Sequence, residues 1–172
     1  MTASGEYRVS VTKDYLVFSS AHFITFAGHR CEGLHGHNYR ARVTVEGAIR
    51  TDTWFVFDFV ELKHIMRGLC DALDHLVLLP LHNDRIGVVE DDGVVRVSVD
   101  GVQKYVLPRI ECALLPIPNT TVEMLATHLA EQLGAGFLHD VSHDELRRGE
   151  IGLRLEALVH ARAALGGGGA PP

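Results

Sequence analysis

The sequence predicts an α+β domain built around an antiparallel sheet. Three observations carry that expectation. Residues 35–46 alternate between two faces, the period of a half-buried strand. Two separate segments, 58–73 and 120–133, repeat apolar residues at three- and four-residue spacing, the period of an amphipathic helix. Between them, "GVVRVSVDGVQKYVLP" places Asp100-Gly101 between two alternating runs, a hairpin signal because that dipeptide tolerates positive φ.

Each element follows in order. "YLVFSSAH", Tyr15 to His22, is expected to be a strand with Leu16, Phe18, Ser20 and His22 on one face. In the strand from His35 to Glu46, the core face carries His35, His37, Tyr39, Ala41, Val43 and Val45. "DTWFVFDF" reads as a short strand. Asp58 with Glu61 three residues later suggests a capping box. The helix behind it buries Leu62, Ile65, Met66, Leu69 and Leu73, and ends at Asp74-His75. A second helix starts near Thr120 or Thr121, with Glu123 available to the cap, and buries Val122, Leu125, Ala126, Leu129 and Leu133. "EIGLRLEALVH" is the last strand, with Arg154 and Glu156 on one face. One domain over residues 1–165 is expected, with 82–117 as an insertion and "GGGGAPP", 166–172, as a disordered tail.

Charge and composition exclude several functions. The formal charge of −6 disfavours a broad grip on nucleic acid. No apolar run approaches the roughly 18 residues of a membrane span. The three cysteines, Cys31, Cys70 and Cys112, form no disulfide framework and fit a reducing compartment, so the cytoplasm is the expected location.

The chemistry gathers in "HRCEGLHGHNY". His35-x-His37 puts two imidazoles on one strand face, and His22 ends a neighbouring strand on its core face. Three imidazoles would hold zinc and leave a fourth position open, the pattern of a catalytic site. With Cys31 as fourth ligand the site would instead be closed and structural. A lone His-x-His is more often an exposed strand pair, and His22 with Cys31 tips that balance. Cys70 and Cys112 read as small buried hydrophobes. Cys31 lies in a polar segment, where a dication and His29 or Arg30 would favour its thiolate as a general base. Asp74-His75 is either a helix terminus favoured by the dipole or a carboxylate-held imidazole that relays protons. Glu156 is a solvated strand residue, or a carboxylate that accepts two hydrogen bonds from a heterocycle.

"FSSAH", "CEGLHGHNY", "VFDFVELK", "ALDHLVLL", "NTTVEMLA" and "RLEAL", in that order, resemble the 6-pyruvoyl-tetrahydropterin synthase and 6-carboxy-tetrahydropterin synthase family over most of residues 8–160. The resemblance implies a tunnelling (T) fold, an antiparallel sheet with two helices on one side. It also implies edge-to-edge assembly into homo-oligomers, usually hexamers formed as dimers of trimers. It implies zinc on His22, His35 and His37, Cys31 as the proton-abstracting thiol, and Asp74 with His75 as an acid/base dyad. Glu156 would anchor the pterin ring, with Thr121 and Glu123 near the pterin pocket.

The implied reaction is zinc-dependent conversion of a triphosphorylated pterin, 7,8-dihydroneopterin triphosphate, to 6-carboxy-5,6,7,8-tetrahydropterin, since the Cys-x3-His spacing resembles the carboxy branch. Glu32 completes a "CExxHGH" pattern similar to the dual queuosine/folate members. That pattern implies a competing reaction, side-chain cleavage to 6-hydroxymethyl-7,8-dihydropterin. The resemblance also admits synthesis of 6-pyruvoyl-tetrahydropterin, and the histidine cluster by itself admits a structural zinc-binding module with no enzymatic activity.

Overall fold

The alternation at residues 35–46 becomes one long strand. The computed structural model describes residues 6–28, 31–137 and 156–163, and β3 runs His35–Ala48. Tyr39, Ala41, Val43 and Val45 are buried on one face, while Asn38, Arg40 and Arg42 are exposed on the other. That is the period-two pattern of a half-buried strand.

β1 (Glu6–Val11) and β2 (Val17–His22) both pair antiparallel with β3. β9 (Glu156–Ala163) does so too, from His37↔Ala163 to Thr44↔Glu156. Residues 37–40 of β3 are shared by β2 and β9, and Val43 and Thr44 by β1 and β9. A strand has only two edges, so β1 and β2 lie end to end along one edge and β9 takes the other.

Helix α1 (Phe59–Asp71) packs its Leu62, Met66 and Cys70 onto this sheet. Asp58 caps it, its carboxylate accepting the Val60 N–H at 2.6 Å, but among the described residues no hydrogen bond to the Glu61 carboxylate completes the expected capping box. Asp58→Ala is expected to cost about 1 kcal/mol, read as a lower urea midpoint at unchanged m value. The chain leaves α1 level with β2, where Ser20 Oγ donates to Leu73 O and Ala21 N–H to Leu76 O.

It then continues in the same direction into β4 (Val77–Pro80), which must therefore lie parallel to β2. The excursion that follows brings the chain back to the start of β4, so β8 (Cys112–Leu115) is parallel to it as well. The sheet is thus mixed, a correction to the expectation of antiparallel pairing throughout.

That excursion is larger than a hairpin. β5 (Ile86–Asp91), β6 (Val94–Val99) and β7 (Val102–Pro108) form a separate three-stranded antiparallel sheet. Its two turns are Asp92-Gly93 and Asp100-Gly101, all four residues at positive φ, the conformation that suits tight hairpins. β8 belongs to the main sheet, so within the expected insertion of 82–117 only residues 86–108 form the separate sheet. "DTWFVFDF" is not a strand: Trp54 N–H bonds Arg50 O in a turn, with Trp54 at φ 62° and exposed.

Helix α2 (Val122–Phe137) buries Leu125, Leu129 and Leu133 in the same core as α1, Phe18 and Tyr39. Both helices therefore cover one face of the sheet. Among the described residues, no helix is long and apolar enough to cross a membrane. Arg154 and the 166–172 tail lie outside the described residues.

Candidate metal centre and its surroundings

The histidine-bearing face of β2 and β3 is the one the helices cover. Phe18 pairs with Tyr39 and His22 with His35 in register, so the ladder that builds the core ends in imidazoles. Phe18 and Tyr39 stack at 4.7 Å beneath them. Burial pushes the Tyr39 phenol up to about 12, so it stays neutral as the floor of the site.

His22, His35 and His37 converge until one ligand atom from each lies within 4.8 Å of the others. Two of them are already oriented. His22 Nδ1 donates to Thr120 O at 2.8 Å, and His35 Nδ1 to Gly33 O at 2.9 Å, leaving each Nε2 available. A backbone carbonyl on the far nitrogen is the usual support of a metal-binding imidazole. His22 Nε2 is buried without a hydrogen-bond partner. Such an orphan is costly unless something accepts its lone pair, so the cluster fits a metal ion. Burial, with a smaller contribution from His35 and His37, holds His22 below the usual imidazole range despite the Thr120 bond. The neutral form that ligates is therefore favoured.

Cys31 stands outside this cluster. Its backbone bridges Thr25, and the next N–H, from Glu32, bonds Ile24 O. Its sulfur meets Lys104 Nζ at 3.3 Å, and the same ammonium donates to Glu32 O at 2.6 Å. Glu32 turns its carboxylate the other way, 3.7 Å from His35 Nε2. Burial alone would lower the Lys104 ammonium, but Cys31 and, to a lesser extent, Tyr105 together outweigh it and hold Lys104 above the usual lysine value. His29 and Arg30, the cations expected beside the thiol, lie outside the described residues.

Asp74 and His75 form the expected pair, His75 Nδ1 to Asp74 Oδ2 at 3.0 Å. Asp74 Oδ1 also accepts the Ser19 N–H at 2.7 Å, and that bond holds its carboxyl below the usual carboxylate range. His75 N–H reaches Ser19 O at 2.7 Å with His75 at φ 59°, a strained conformation for a non-glycine residue. The strained backbone leaves the ring exposed, over a cleft lined by Ser19, Ala21, His37 and Asn38. Ser19, Ala21 and Asn38 belong to the face opposite the helices. Among the described residues, no hydrogen bond or ion pair joins this dyad to Cys31.

Glu156 opens β9 opposite Thr44, seven residues along β3 from His37, roughly 23 Å at strand rise. One copy of the chain therefore does not bring Glu156 to its own histidines. Thr121 caps α2, its hydroxyl accepting the Met124 N–H at 3.4 Å, and Glu123 sits exposed in the first turn.

Sequence reasoning missed Thr120, which is fully buried and donates its hydroxyl to Phe23 O while its carbonyl orients His22. It also missed Lys104 and Tyr105, for which no motif in the chain gives a signal.

Comparison with known proteins agrees with this architecture. The profile of the 6-pyruvoyl tetrahydropterin synthase family matches residues 10–151. A Methanocaldococcus jannaschii protein provisionally named 6-carboxy-5,6,7,8-tetrahydropterin synthase is 36% identical over 118 residues, 69% of this chain and 71% of that one. The Bacillus subtilis 6-carboxy-5,6,7,8-tetrahydropterin synthase is 30% identical over 118 residues, 68% of this chain and 75% of its own. A dihydroneopterin monophosphate aldolase from Pyrococcus furiosus is 38% identical over a shorter stretch of 58 residues, 34% of this chain and 47% of that one. The crystal structure of Plasmodium vivax 6-pyruvoyl tetrahydropterin synthase superposes with a TM-score of 0.73 at 25% identity, covering 92% of this chain and 100% of that one. The fold is the T-fold, and the chain belongs to the 6-pyruvoyl tetrahydropterin synthase family.

Proposed function

We propose that this chain is a zinc-dependent lyase that converts 7,8-dihydroneopterin triphosphate to 6-carboxy-5,6,7,8-tetrahydropterin. The observation that carries the reading is the separation of roles: three imidazoles converge, while the Cys31 thiol stands apart from them on a lysine. A closed structural site with Cys31 as fourth ligand would need that sulfur among the imidazoles. The kinship with the Bacillus subtilis carboxy-tetrahydropterin synthase supports the branch.

Zinc on His22, His35 and His37 would supply Lewis-acid polarisation of the substrate's side-chain oxygens. Cys31 then accepts a proton from the adjacent carbon, and His75, held in one tautomer by Asp74, carries protons to and from the side-chain oxygens. Glu156 orients the pterin ring through paired hydrogen bonds, and Thr121 and Glu123 flank it.

Among the described residues no hydrogen bond or ion pair joins the dyad to Cys31, and Glu156 opens β9 seven residues along β3 from His37, which supports a homo-oligomer, a hexamer of two trimers, whose copies complete one another's sites. Among the described residues all three cysteines are free, which supports a reducing compartment such as the cytoplasm.

A second reading, side-chain cleavage to 6-hydroxymethyl-7,8-dihydropterin, rests on the Glu32 carboxylate beside His35 and on kinship to the aldolase. One experiment addresses both. The zinc-loaded protein is incubated with 7,8-dihydroneopterin triphosphate and the products are identified by mass. 6-Carboxy-tetrahydropterin is the expected main product, and no turnover at all would defeat the proposal. Glu32→Gln is expected to remove any 6-hydroxymethyl product while leaving the carboxy product within about threefold; an unchanged ratio would mean Glu32 plays no part in cleavage.

A further inference from the structure

The inserted sheet reaches the loop that carries the thiol, and it does so through an irregularity in its own ladder. On β6 and β7, Val97 pairs with Tyr105 and Ser98 with Gln103. One residue on β6 is thus spanned by two on β7, and Lys104 is the unpaired extra. Such a bulge re-aims a side chain from the direction that alternation would give it. Val106, opposite Arg96, points to solvent, and regular alternation from it would send Lys104 to that same face.

Instead its ammonium lies 5.3 Å from the rings of both Phe23 and Tyr105 and touches Cys31 Sγ and Glu32 O. Beside it, Tyr105 Oη accepts the Leu34 N–H at 3.1 Å. The insertion therefore pins both ends of the 31–34 loop, with a charge at one end and a neutral hydroxyl at the other.

We propose that Lys104 is a positioning residue for the reaction, holding the Cys31 sulfur in place as a thiolate through a bond the inserted sheet was bulged to reach. The inference rests on the role of Cys31 as the proton acceptor. An ammonium donating to sulfur stabilises the anion over the neutral thiol, because the bond gains strength when its acceptor is charged. Among the described residues no other charged side chain is hydrogen-bonded to Cys31 Sγ, and Arg85 acts on it only through its charge at longer range. Arg85, before β5, gives two guanidinium hydrogen bonds to Asp100 at 2.9 and 2.7 Å. Glu32, next in the chain, would oppose a thiolate, and its carboxylate is turned towards His35. Phe23 and Tyr105 offer ring faces that favour a cation at Lys104.

The test uses the intact zinc-loaded protein and iodoacetamide, in which the thiolate displaces iodide. Peptide mapping separates Cys31 from the buried Cys70 and Cys112. Lys104 is exposed, so solvent limits the effect: Lys104→Met is expected to slow Cys31 alkylation at pH 7 by about three- to fivefold. It should also move the pH profile of alkylation upward and lower kcat with little change in KM. Lys104→Arg should restore most of the parent rate.

Tyr105→Phe removes the loop's other anchor and a lesser support of the ammonium, but keeps Lys104 itself, its bond to Cys31 and the ring face, and should leave the alkylation profile close to the parent's. A Lys104→Met profile identical to the parent's would overturn the inference. So would a shift of equal size in Tyr105→Phe, since the loop rather than the charge would then be responsible. Failure of the lyase reading shows separately, as an absence of pterin turnover in the parent protein.

Discussion

Cys31→Ala is expected to bind zinc as the parent does and to lose product formation by about 10²–10⁴-fold, the usual contribution of a positioned general base. The zinc half of that expectation follows from geometry. The three imidazoles form a ligand set without the sulfur, and two are oriented by carbonyls of Thr120 and Gly33, not by Cys31. The fold should survive as well, because the loop is held by the Thr25 bridge and the Glu32 N–H bond to Ile24 O. The loss of product follows because neither remaining thiol can take its place: Cys70 and Cys112 are buried in apolar clusters, and that burial pushes both thiols up. Zinc content by atomic emission and product by mass spectrometry check both halves. A variant that released zinc and kept its activity would make Cys31 a ligand and remove it from the chemistry.

How much of this was legible in the sequence depends on whether a residue's environment is local. The two helices and their buried faces were, because Leu62, Met66, Leu125 and Leu129 sit at spacings that only a helix brings to one side. The histidine face of β3 was, because period two carries His35 and His37 onto the side of Tyr39.

β4 was not. "VLLP" is a four-residue run buried between two parallel neighbours, so it has no polar alternation to betray it. β1, β5 and β8 were also missed. "DTWFVFDF" misled in the opposite sense: its aromatics suggest a strand, but Trp54 at positive φ closes a turn.

The same division runs through the site. His22 was predictable from strand parity, yet Thr120, which orients it from 98 residues away, was not. Lys104 depends on a one-residue slip between β6 and β7. Regular alternation, the rule that located β3, would have turned that side chain away from Cys31.

Removing zinc is expected to abolish turnover while leaving the fold standing, and that pairing separates a catalytic centre from a structural one. Small metal-dependent modules unfold without their ion because it supplies most of their folding energy. Here the main core of Phe18, Tyr39, Leu62, Met66, Leu125 and Leu129 is packed without help from the histidines. His22 is also tied to Thr120 through Nδ1, the nitrogen that a metal on Nε2 would leave alone.

Chelation would nevertheless leave a buried, unpartnered His22 Nε2, at about 1–3 kcal/mol. For a chain of this size each kcal/mol lowers Tm by roughly 2–4 °C, so a drop of several degrees is expected, reversed on adding zinc by mass action. His22→Ala should behave like the chelated protein in activity and hold almost no zinc. Far-UV circular dichroism during chelation decides the matter. An intact spectrum with lost turnover agrees with an open catalytic site, whereas collapse of the spectrum would show that the three histidines hold the domain together and that the metal's role is structural.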